Sequence, residues 1–257
     1  MDAAPVAPQL AVQDAVLSYG DLSVLRGLTL VVRAGERIAV MGRSGCGKTT
    51  LLRSICGIVR LQRGTVTLGS QRIIEGPTLL FEEWEIRRHM MYVAQVPTLL
   101  PHRTALENIC LGLRLVRGLT RPDAVQTAEA AGNDLGLDAS RLRRYPEELS
   151  SGEAQRVQLL RAMVLEPDIL LLDEVTANID PETTSDVVDA LWLLRDRARR
   201  PQSIIIVTHL LGFAERFVDR IAFMANGIIL EHGEAASFRS VAKEDATKKF
   251  LTSGLVR

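Results

Sequence analysis

GRSGCGKT, at residues 42–49, is the stretch that decides the fold. The apolar run Arg37–Met41 before it is typical of a strand, and Thr50–Cys56 after it is typical of a helix. Glycines permit backbone angles that side chains forbid, so successive N–H groups can turn inward where the helix begins. An ordinary glycine-rich turn would not need both flanks. The pattern therefore predicts a phosphate-binding loop between a strand and a helix.

Within this phosphate loop, Lys48 is predicted to contact the β- and γ-phosphates of a nucleotide, and the Thr49 hydroxyl to hold Mg²⁺. Cys46 lies at the predicted helix N-terminus beside Lys48, which predicts a lowered thiol pKa and inactivation by alkylation. MgATP should then protect the thiol. The predicted phosphate-binding residues are Gly42, Arg43, Ser44, Gly45, Cys46, Gly47, Lys48, Thr49 and Thr50.

Two acids, Asp173 and Glu174, directly follow the apolar run Ile169–Leu172. Ligand sites in open parallel sheets lie at the carboxyl ends of the strands, so both acids should face the nucleotide. Asp173 is placed to bind Mg²⁺ through water, and Glu174 to polarise the water that attacks the γ-phosphate. Taken alone, the pair would fit a solvated loop equally well, but the phosphate loop favours the catalytic interpretation.

Composition excludes several classes of protein. The 257 residues are 47% hydrophobic, enough for a full core, and 31 acidic residues balance 31 basic ones, which argues against a nucleic-acid partner. Cys46, Cys56 and Cys110 show neither metal nor disulfide spacing and are expected to be reduced thiols. No apolar run reaches the roughly 18 residues of a membrane span, and residues 1–10 do not resemble a signal peptide. We expect a cytoplasmic chain whose membrane role depends on partners.

The pattern predicts an α/β fold with a mainly parallel core sheet of the phosphate-loop type, an N-terminal antiparallel β subdomain and an inserted helical subdomain. Predicted strands cover 10–17, 23–26, 28–32, 37–41, 169–172, 203–208 and 220–224. Thr120 and Pro122 mark one helix start, Asp180 and Pro181 another, and the tail from 235 should form one helix. We expect one domain over 1–257, with 1–97 and 166–257 as nucleotide-binding core and β subdomain, and 98–165 as the helical subdomain.

The stretch LSSGE at residues 149–153, between the two motifs, resembles the LSGGQ signature of ABC ATPases. The resemblance extends over nearly the whole chain. Tyr19 matches the aromatic residue that stacks on adenine, and Gln95 in MYVAQ matches the glutamine loop. Asp180 in TANID matches the D-loop aspartate, and His209 in IIIVTH matches the switch histidine. The resemblance implies the ATP-hydrolysing subunit of an ABC transporter.

It also implies how the site is shared. Ser150, Ser151, Gly152 and Glu153 should lie at a helix N-terminus facing the γ-phosphate held by a second ATPase subunit, identical or a sibling. Gln95 would sense Mg²⁺ and the attacking water, and His209 would hydrogen-bond the γ-phosphate. The implied cofactors are ATP and Mg²⁺, with catalytic residues Glu174, His209 and Gln95 and metal-binding residues Thr49, Gln95 and Asp173.

Three positions depart from the family pattern: Ser151 where glycine is common, Glu153 where glutamine is common, and Val175 where proline is frequent. A side chain at Ser151 crowds the backbone that should approach phosphate. The departures predict slow hydrolysis or a sibling subunit whose signature compensates, whereas intact Lys48, Glu174 and His209 predict an active site. A slow, ATP-switched regulatory module and a soluble ABC ATPase remain alternatives.

Three further stretches look like ATPases of bacterial importers for polar amino acids and similar small solutes: His102–Ile109, residues 114–124 and Tyr145–Leu149. The resemblance implies transmembrane permease subunits, a coupling helix docked near Gln95 and Pro101, and an extracytoplasmic solute-binding protein. The chain would then be held peripherally at the cytoplasmic face of the membrane. No residue is expected to contact the transported solute.

Overall fold

The computed structural model describes residues 8–177, 181–197 and 202–252. Their strands are β1 (Pro8–Tyr19), β2 (Leu22–Arg33), β3 (Arg37–Met41), β4 (Arg63–Leu68), β5 (Gln71–Glu75), β6 (Thr78–Leu79), β7 (Met90–Val93), β8 (Ile169–Asp173), β9 (Ser203–Val207), β10 (Arg220–Ala225) and β11 (Ile228–Glu234). Their helices are α1 (Lys48–Ile55), α2 (Glu83–His89), α3 (Ala105–Arg117), α4 (Arg121–Asp134), α5 (Ala139–Leu142), α6 (Ser151–Met163), α7 (Pro181–Arg197), α8 (Leu211–Phe217), α9 (Phe238–Val241) and α10 (Asp245–Thr252).

An antiparallel sheet in the order β2-β1-β4-β5-β6 forms the N-terminal β subdomain, as predicted. Two details of the prediction were wrong. The runs 23–26 and 28–32 belong to the single strand β2, because Gly27 adopts a φ of +81° inside the strand without ending it. Strands β4 to β6 were missed, since their polar residues alternate with few apolar ones.

A second sheet, in the order β11-β10-β3-β9-β8-β7, forms the core, and all its pairs except β10–β11 are parallel. Most residues of its parallel strands are apolar because both faces of the sheet are covered there. In β3, Ile38 and Val40 pack into one cluster shared with the β subdomain, whereas Ala39 and Met41 pack into a second cluster beneath α7 and α8. The mainly parallel core sheet is therefore confirmed.

Helices α3 to α6 lie within residues 105–163 and enclose an apolar cluster to which Ala190 of α7 also belongs. Helix α4 begins after Thr120, as predicted, because the Thr120 side chain accepts a hydrogen bond from the Asp123 N–H. Helix α7 begins at Pro181, also as predicted. Helices α3 to α6 are the inserted helical subdomain that the fold class predicted.

The tail differs from the single helix expected from its sequence. Within residues 235–252 the tail forms a short 3-10 helix (Ala235–Ser237) followed by helices α9 and α10, and Phe250 of α10 packs against Phe223 with ring centroids 5.1 Å apart. No helix within residues 8–177, 181–197 and 202–252 combines the length and the apolar character needed to cross a bilayer.

Candidate nucleotide-binding site

Four neighbouring strands of the core sheet, β3, β9, β8 and β7, end at one edge. The phosphate loop follows β3, His209 follows β9, Asp173 ends β8, and Gln95 lies two residues beyond β7. Because the four strands are parallel, their carboxyl ends meet on the same side of the sheet. The fold thus gathers at one edge most residues that the sequence predicted for the site.

Two glycines of the phosphate loop, Gly42 and Gly47, lie where a side chain would clash with neighbouring backbone. Gly42 has a φ of +155°, and a Cβ there would lie 2.2 Å from the Met224 carbonyl oxygen. Gly47 precedes α1 with a φ of +106°, and its Cβ would lie 3.0 Å from the Val24 carbonyl oxygen. The loop therefore passes so close to β10 and β2 that glycine is needed at both positions, and it leads directly into the N-terminus of α1.

Lys48 is 7% exposed and is held within the same loop. Its Nζ donates hydrogen bonds to the carbonyl oxygens of Gly42 at 2.9 Å and Arg43 at 3.0 Å. The Glu174 Oε1 atom lies 3.8 Å from that Nζ. A buried ammonium needs such partners, and the loop supplies them at the position where phosphate oxygens would bind.

The strand-end acids have different surroundings. Asp173 is 1% exposed, and its Oδ1 accepts a hydrogen bond from the Thr49 hydroxyl at 3.0 Å. Glu174 is half-buried, and its N–H donates to the Val207 carbonyl oxygen at 3.0 Å. Its φ of +45° is unusual for a residue with a side chain, and such strain is found where surrounding structure forces it, often at active sites.

The donor set around Asp173 fits Mg²⁺. Among the described residues no cationic side chain forms an ion pair with this buried carboxylate, and the hydroxyls of Thr49 and Tyr92 donate to its two oxygens. The described part of the chain has no cluster of three His, Cys, Asp or Glu side chains able to enclose a metal. Mg²⁺ prefers one or two protein oxygens together with substrate phosphates and water, so Thr49 and Asp173 suffice.

Tyr92 on β7 also contacts Asp173, a feature the sequence analysis missed. Its hydroxyl donates to Asp173 Oδ2 at 2.7 Å and accepts a hydrogen bond from Arg53 Nε at 3.2 Å. Burial raises the pKa of Tyr92 to about 12, so the hydroxyl keeps its proton. Its position in the sequence could have indicated this contact, because Tyr92 lies three residues before Gln95 on the strand next to β8, which carries the acids.

Gln95 lies in a half-buried loop whose position is set by helix α6. The Gln158 side chain donates from Nε2 to the Ala94 carbonyl oxygen at 2.9 Å, and its Oε1 accepts from the Thr98 N–H at 2.7 Å. Arg161 donates to the Thr98 carbonyl oxygen at 2.9 Å. The predicted signature helix is thereby bonded to the predicted glutamine loop, and neither Gln158 nor Arg161 was singled out from sequence.

Two of the remaining predicted site residues, Tyr19 and His209, are exposed to solvent. Tyr19 ends β1 with 54% of its surface exposed, which leaves its ring accessible for stacking. His209 is exposed and follows the buried Thr208. Asp180 lies outside the described residues.

The predicted signature turn begins α6. Ser150 is the N-cap of this helix, and its hydroxyl accepts the Glu153 N–H at 3.2 Å. Ser150 and Ser151 are exposed, whereas Gly152 and Glu153 are buried. The N–H groups of Ser151 and Gly152 have no acceptor within their own helix, because they belong to its first turn. These two groups are the donors that the turn can offer to an anion.

The Glu153 carboxylate points back into its own subunit. It accepts the Ser150 N–H at 2.9 Å and Arg141 Nε at 2.7 Å, and an Arg144 nitrogen lies 3.7 Å away. Burial by itself would raise the pKa of Glu153, but the Ser150 N–H and the two arginines outweigh it and hold the pKa below the usual value. Glutamate at this position therefore fixes the turn, and its charge is balanced locally.

The prediction for Cys46 was wrong in sign. Burial raises the pKa of the Cys46 thiol by more than the neighbouring Lys48 charge lowers it. All three cysteines are free, and Cys56 and Cys110 are buried. Position at a helix N-terminus is readable from sequence, but burial of the sulfur depends on how the loop packs.

A glycine loop between β3 and α1, with Thr49 bonded to Asp173 at the end of a parallel strand, defines a phosphate-loop nucleotide-binding protein. A model of the ABC transporter family matches residues 25–177. The chain is 36% identical over 251 residues to the L-cystine transport system ATP-binding protein TcyN of Escherichia coli K12, covering 96% of this chain and 99% of that protein.

It is also 34% identical over 234 residues to the glutamine transport ATP-binding protein GlnQ of Geobacillus stearothermophilus, covering 91% of this chain and 94% of that protein. Among solved structures, a dimeric bacterial ABC transporter cassette matches with a TM-score of 0.76 and 26% identity, over 88% of this chain and 98% of that one. The chain therefore belongs to the ABC transporter family, as the resemblance of residues 149–153 implied, and it is an ATP-hydrolysing subunit of such a transporter.

Proposed function

We propose that this chain binds MgATP at residues 42–50, hydrolyses it as one half of a dimer, and thereby powers uptake of a polar amino acid through a separate permease. The observation that carries the proposal is the 3.0 Å contact between Thr49 and Asp173, with Lys48 and Glu174 3.8 Å apart beside it. Phosphoryl transfer needs this combination of phosphate-binding, metal-binding and water-orienting groups at one place.

The backbone N–H groups of the phosphate loop and of the Thr50 region bind the phosphates, and Lys48 places its charge beside the β- and γ-phosphates. Thr49 and Asp173 hold Mg²⁺, with Gln95 from the neighbouring strand end. When bound, Mg²⁺ neutralises charge on the β- and γ-phosphate oxygens. Glu174 orients the attacking water and accepts its proton.

Contacts at the rim complete the site. The exposed ring of Tyr19 stacks on adenine, and the exposed imidazole of His209 hydrogen-bonds the γ-phosphate. The exposed Ser44 and the neighbouring N–H groups of the loop face the same phosphates.

Dimerisation is supported by the exposed signature turn. The exposed Ser150 and Ser151 would face the γ-phosphate bound to a second ATPase subunit, either identical or a sibling, with the N–H of the buried Gly152 beside them in the first turn of the helix. Glu153 holds the turn in shape from its own side. Asp180, which matches the D-loop aspartate in sequence, is proposed to lie at the same interface.

Import of a polar amino acid is supported by the relatives. The names of two of them specify transport of L-cystine and of glutamine. We propose that residues 98–165 act as a unit against 1–97 and 166–257, and that they dock a permease near Gln95 and Pro101. A solute-binding protein outside the membrane would deliver the solute, and the ATPase would lie at the cytoplasmic membrane face.

Phosphate release from MgATP by the purified ATPase–permease complex tests the proposal. Glu174→Gln should lower the rate by at least about 100-fold, because it removes the proton acceptor, while nucleotide binding persists. Uptake of cystine and of glutamine into proteoliposomes with the permease and its solute-binding protein then tests the direction and the solute class. A complex that binds ATP and dimerises but releases no phosphate would refute the enzyme and favour the slow, ATP-switched module, which the exposed Ser151 side chain would explain.

A further inference from the structure

A chain of hydrogen bonds ties helix α1 to strands β7 and β8 at Asp173. The Thr49 hydroxyl donates to Asp173 Oδ1 at 3.0 Å, and the Tyr92 hydroxyl donates to Asp173 Oδ2 at 2.7 Å. Arg53 Nε donates to the Tyr92 oxygen at 3.2 Å. Both oxygens of the carboxylate are therefore held, one from the helix and one from the neighbouring strand.

The periodicity of the elements explains why these four side chains meet. Thr49 and Arg53 are four residues apart on α1, so they lie on the same side of the helix, one turn apart. Tyr92 is paired with Leu171 across the parallel strands, and Asp173 lies two residues further along β8. Side chains two apart on a strand share a face, so Tyr92 and Asp173 face α1 together.

The direction of the hydrogen bonds follows from the groups involved. A guanidinium has donors only, so the Tyr92 oxygen must accept the bond from Arg53. A phenol carries one proton, and the buried acceptor within reach of it is Asp173 Oδ2. Arg53 thus fixes the rotation of the hydroxyl, and the hydroxyl fixes the rotation of the carboxylate.

We propose that Tyr92, held by Arg53, is a positioning residue that orients the Asp173 carboxylate toward a hydrated Mg²⁺. Neutral hydroxyl donors hold the carboxylate without cancelling its charge, which leaves that charge for the cation. Partners that orient a metal ligand commonly change metal affinity by about 10- to 100-fold when they are removed. The inference rests on the proposed function, since Asp173 acts there as a ligand of Mg²⁺ through water.

Mn²⁺ binding, followed by electron paramagnetic resonance in the presence of a non-hydrolysable ATP analogue, tests the inference without relying on turnover. In Tyr92→Phe, which removes one oxygen atom, we expect Mn²⁺ affinity to fall by about 10-fold or more. Metal-free binding of a fluorescent ATP analogue in EDTA should stay unchanged. In Arg53→Met, which keeps the apolar stem of an exposed residue, we expect a smaller fall in Mn²⁺ affinity.

Tyr145→Phe is the matched control, because it removes a tyrosine hydroxyl from an exposed position outside this chain of bonds. Unchanged Mn²⁺ affinity in Tyr92→Phe would overturn the inference, and so would an equal loss of metal-free nucleotide binding, which indicates a structural role. If Tyr92→Phe does not fold, Arg53→Met alone decides, and unchanged affinity there counts against the inference. If the unaltered protein binds no nucleotide, the proposed function fails instead.

Discussion

Replacing Gln158 by leucine should loosen the loop that carries Gln95. The substitution removes two hydrogen bonds: one that Gln158 Nε2 donates to the Ala94 carbonyl oxygen at 2.9 Å, and one that the Thr98 N–H donates to Gln158 Oε1 at 2.7 Å. Two backbone groups are then left without these partners. Each unpaired backbone group costs about 1–3 kcal/mol when water cannot reach it, and leucine regains roughly 1 kcal/mol through apolar burial. Because the loop is half-buried, water reaches part of it, and we expect the free energy of unfolding to fall by about 2–3 kcal/mol.

Gln155→Leu is the matched control, because Gln155 lies one turn earlier on α6 and is also buried, yet its Nε2 has no hydrogen-bond partner among the described residues. Its replacement should change the free energy of unfolding by no more than about 0.5 kcal/mol, or should stabilise the protein. Urea unfolding measures both variants, and hydrogen exchange at the amides of Gln95 and Thr98 locates the effect. Equal free-energy changes in the two variants, or unchanged exchange at those amides, would refute the reasoning.

Three further outcomes are expected. Gly42→Ala should destabilise the protein by more than about 3 kcal/mol in urea unfolding, since its Cβ would meet a backbone oxygen at 2.2 Å, whereas Gly69→Ala, with open space around it, should cost only about 1 kcal/mol; similar costs would contradict this. Because burial raises the pKa of Cys46, its alkylation at pH 7 should be slower than that of a free thiol, and the rate should increase above pH 9. MgATP should slow the alkylation. Mass spectrometry measures the rate, and labelling faster than that of free cysteine at pH 7 would contradict the prediction. Because the folded pKa of Glu153 lies below the usual value of 4.5, its ionised form stabilises the fold above that value, and this contribution is lost as pH falls through the folded pKa. Glu153→Gln should therefore cost about 1 kcal/mol at pH 7, and this cost should shrink as the pH is lowered below 4.5. A cost independent of pH would exclude the ion pair with Arg141 as its origin.

The sequence predicted those parts of the protein in which local pattern and tertiary structure agree. Strand β3 and helix α1 flank the phosphate loop as expected, because an apolar run and a glycine-rich turn determine that geometry locally. Helix α4 begins where Thr120 caps it. Strands β4 to β6 were missed because they are half-polar, and pairing with β1 stabilises them in a way that no local pattern shows.

In the site, the positions that follow strand ends could be predicted, whereas the residues that hold them could not. Asp173 ends β8 and Gln95 follows β7, and parallel strands end at the same edge of a sheet. Tyr92 and Gln158 act across elements that are far apart in sequence, from β7 to β8 and from α6 to the loop at 94–98. Their partners are known only once the register of the strands and the position of α6 are known.

Hydrogen bonds connect helix α6 to the loop after β7, and strand β7 to the end of β8. Gln158 and Arg161 bond helix α6, whose first turn is the proposed contact with the partner's γ-phosphate, to the loop that follows β7. Tyr92, on β7 itself, bonds to the proposed Mg²⁺ ligand Asp173. A displacement of α6 caused by the partner's nucleotide would therefore reach the loop of Gln95 and, by way of Tyr92 on strand β7, the metal ligand of the same subunit through short bonded steps. If that route operates, Gln158→Leu should weaken the dependence of phosphate release on the permease more than it lowers nucleotide binding, and equal effects on the two measurements would show that coupling takes another path.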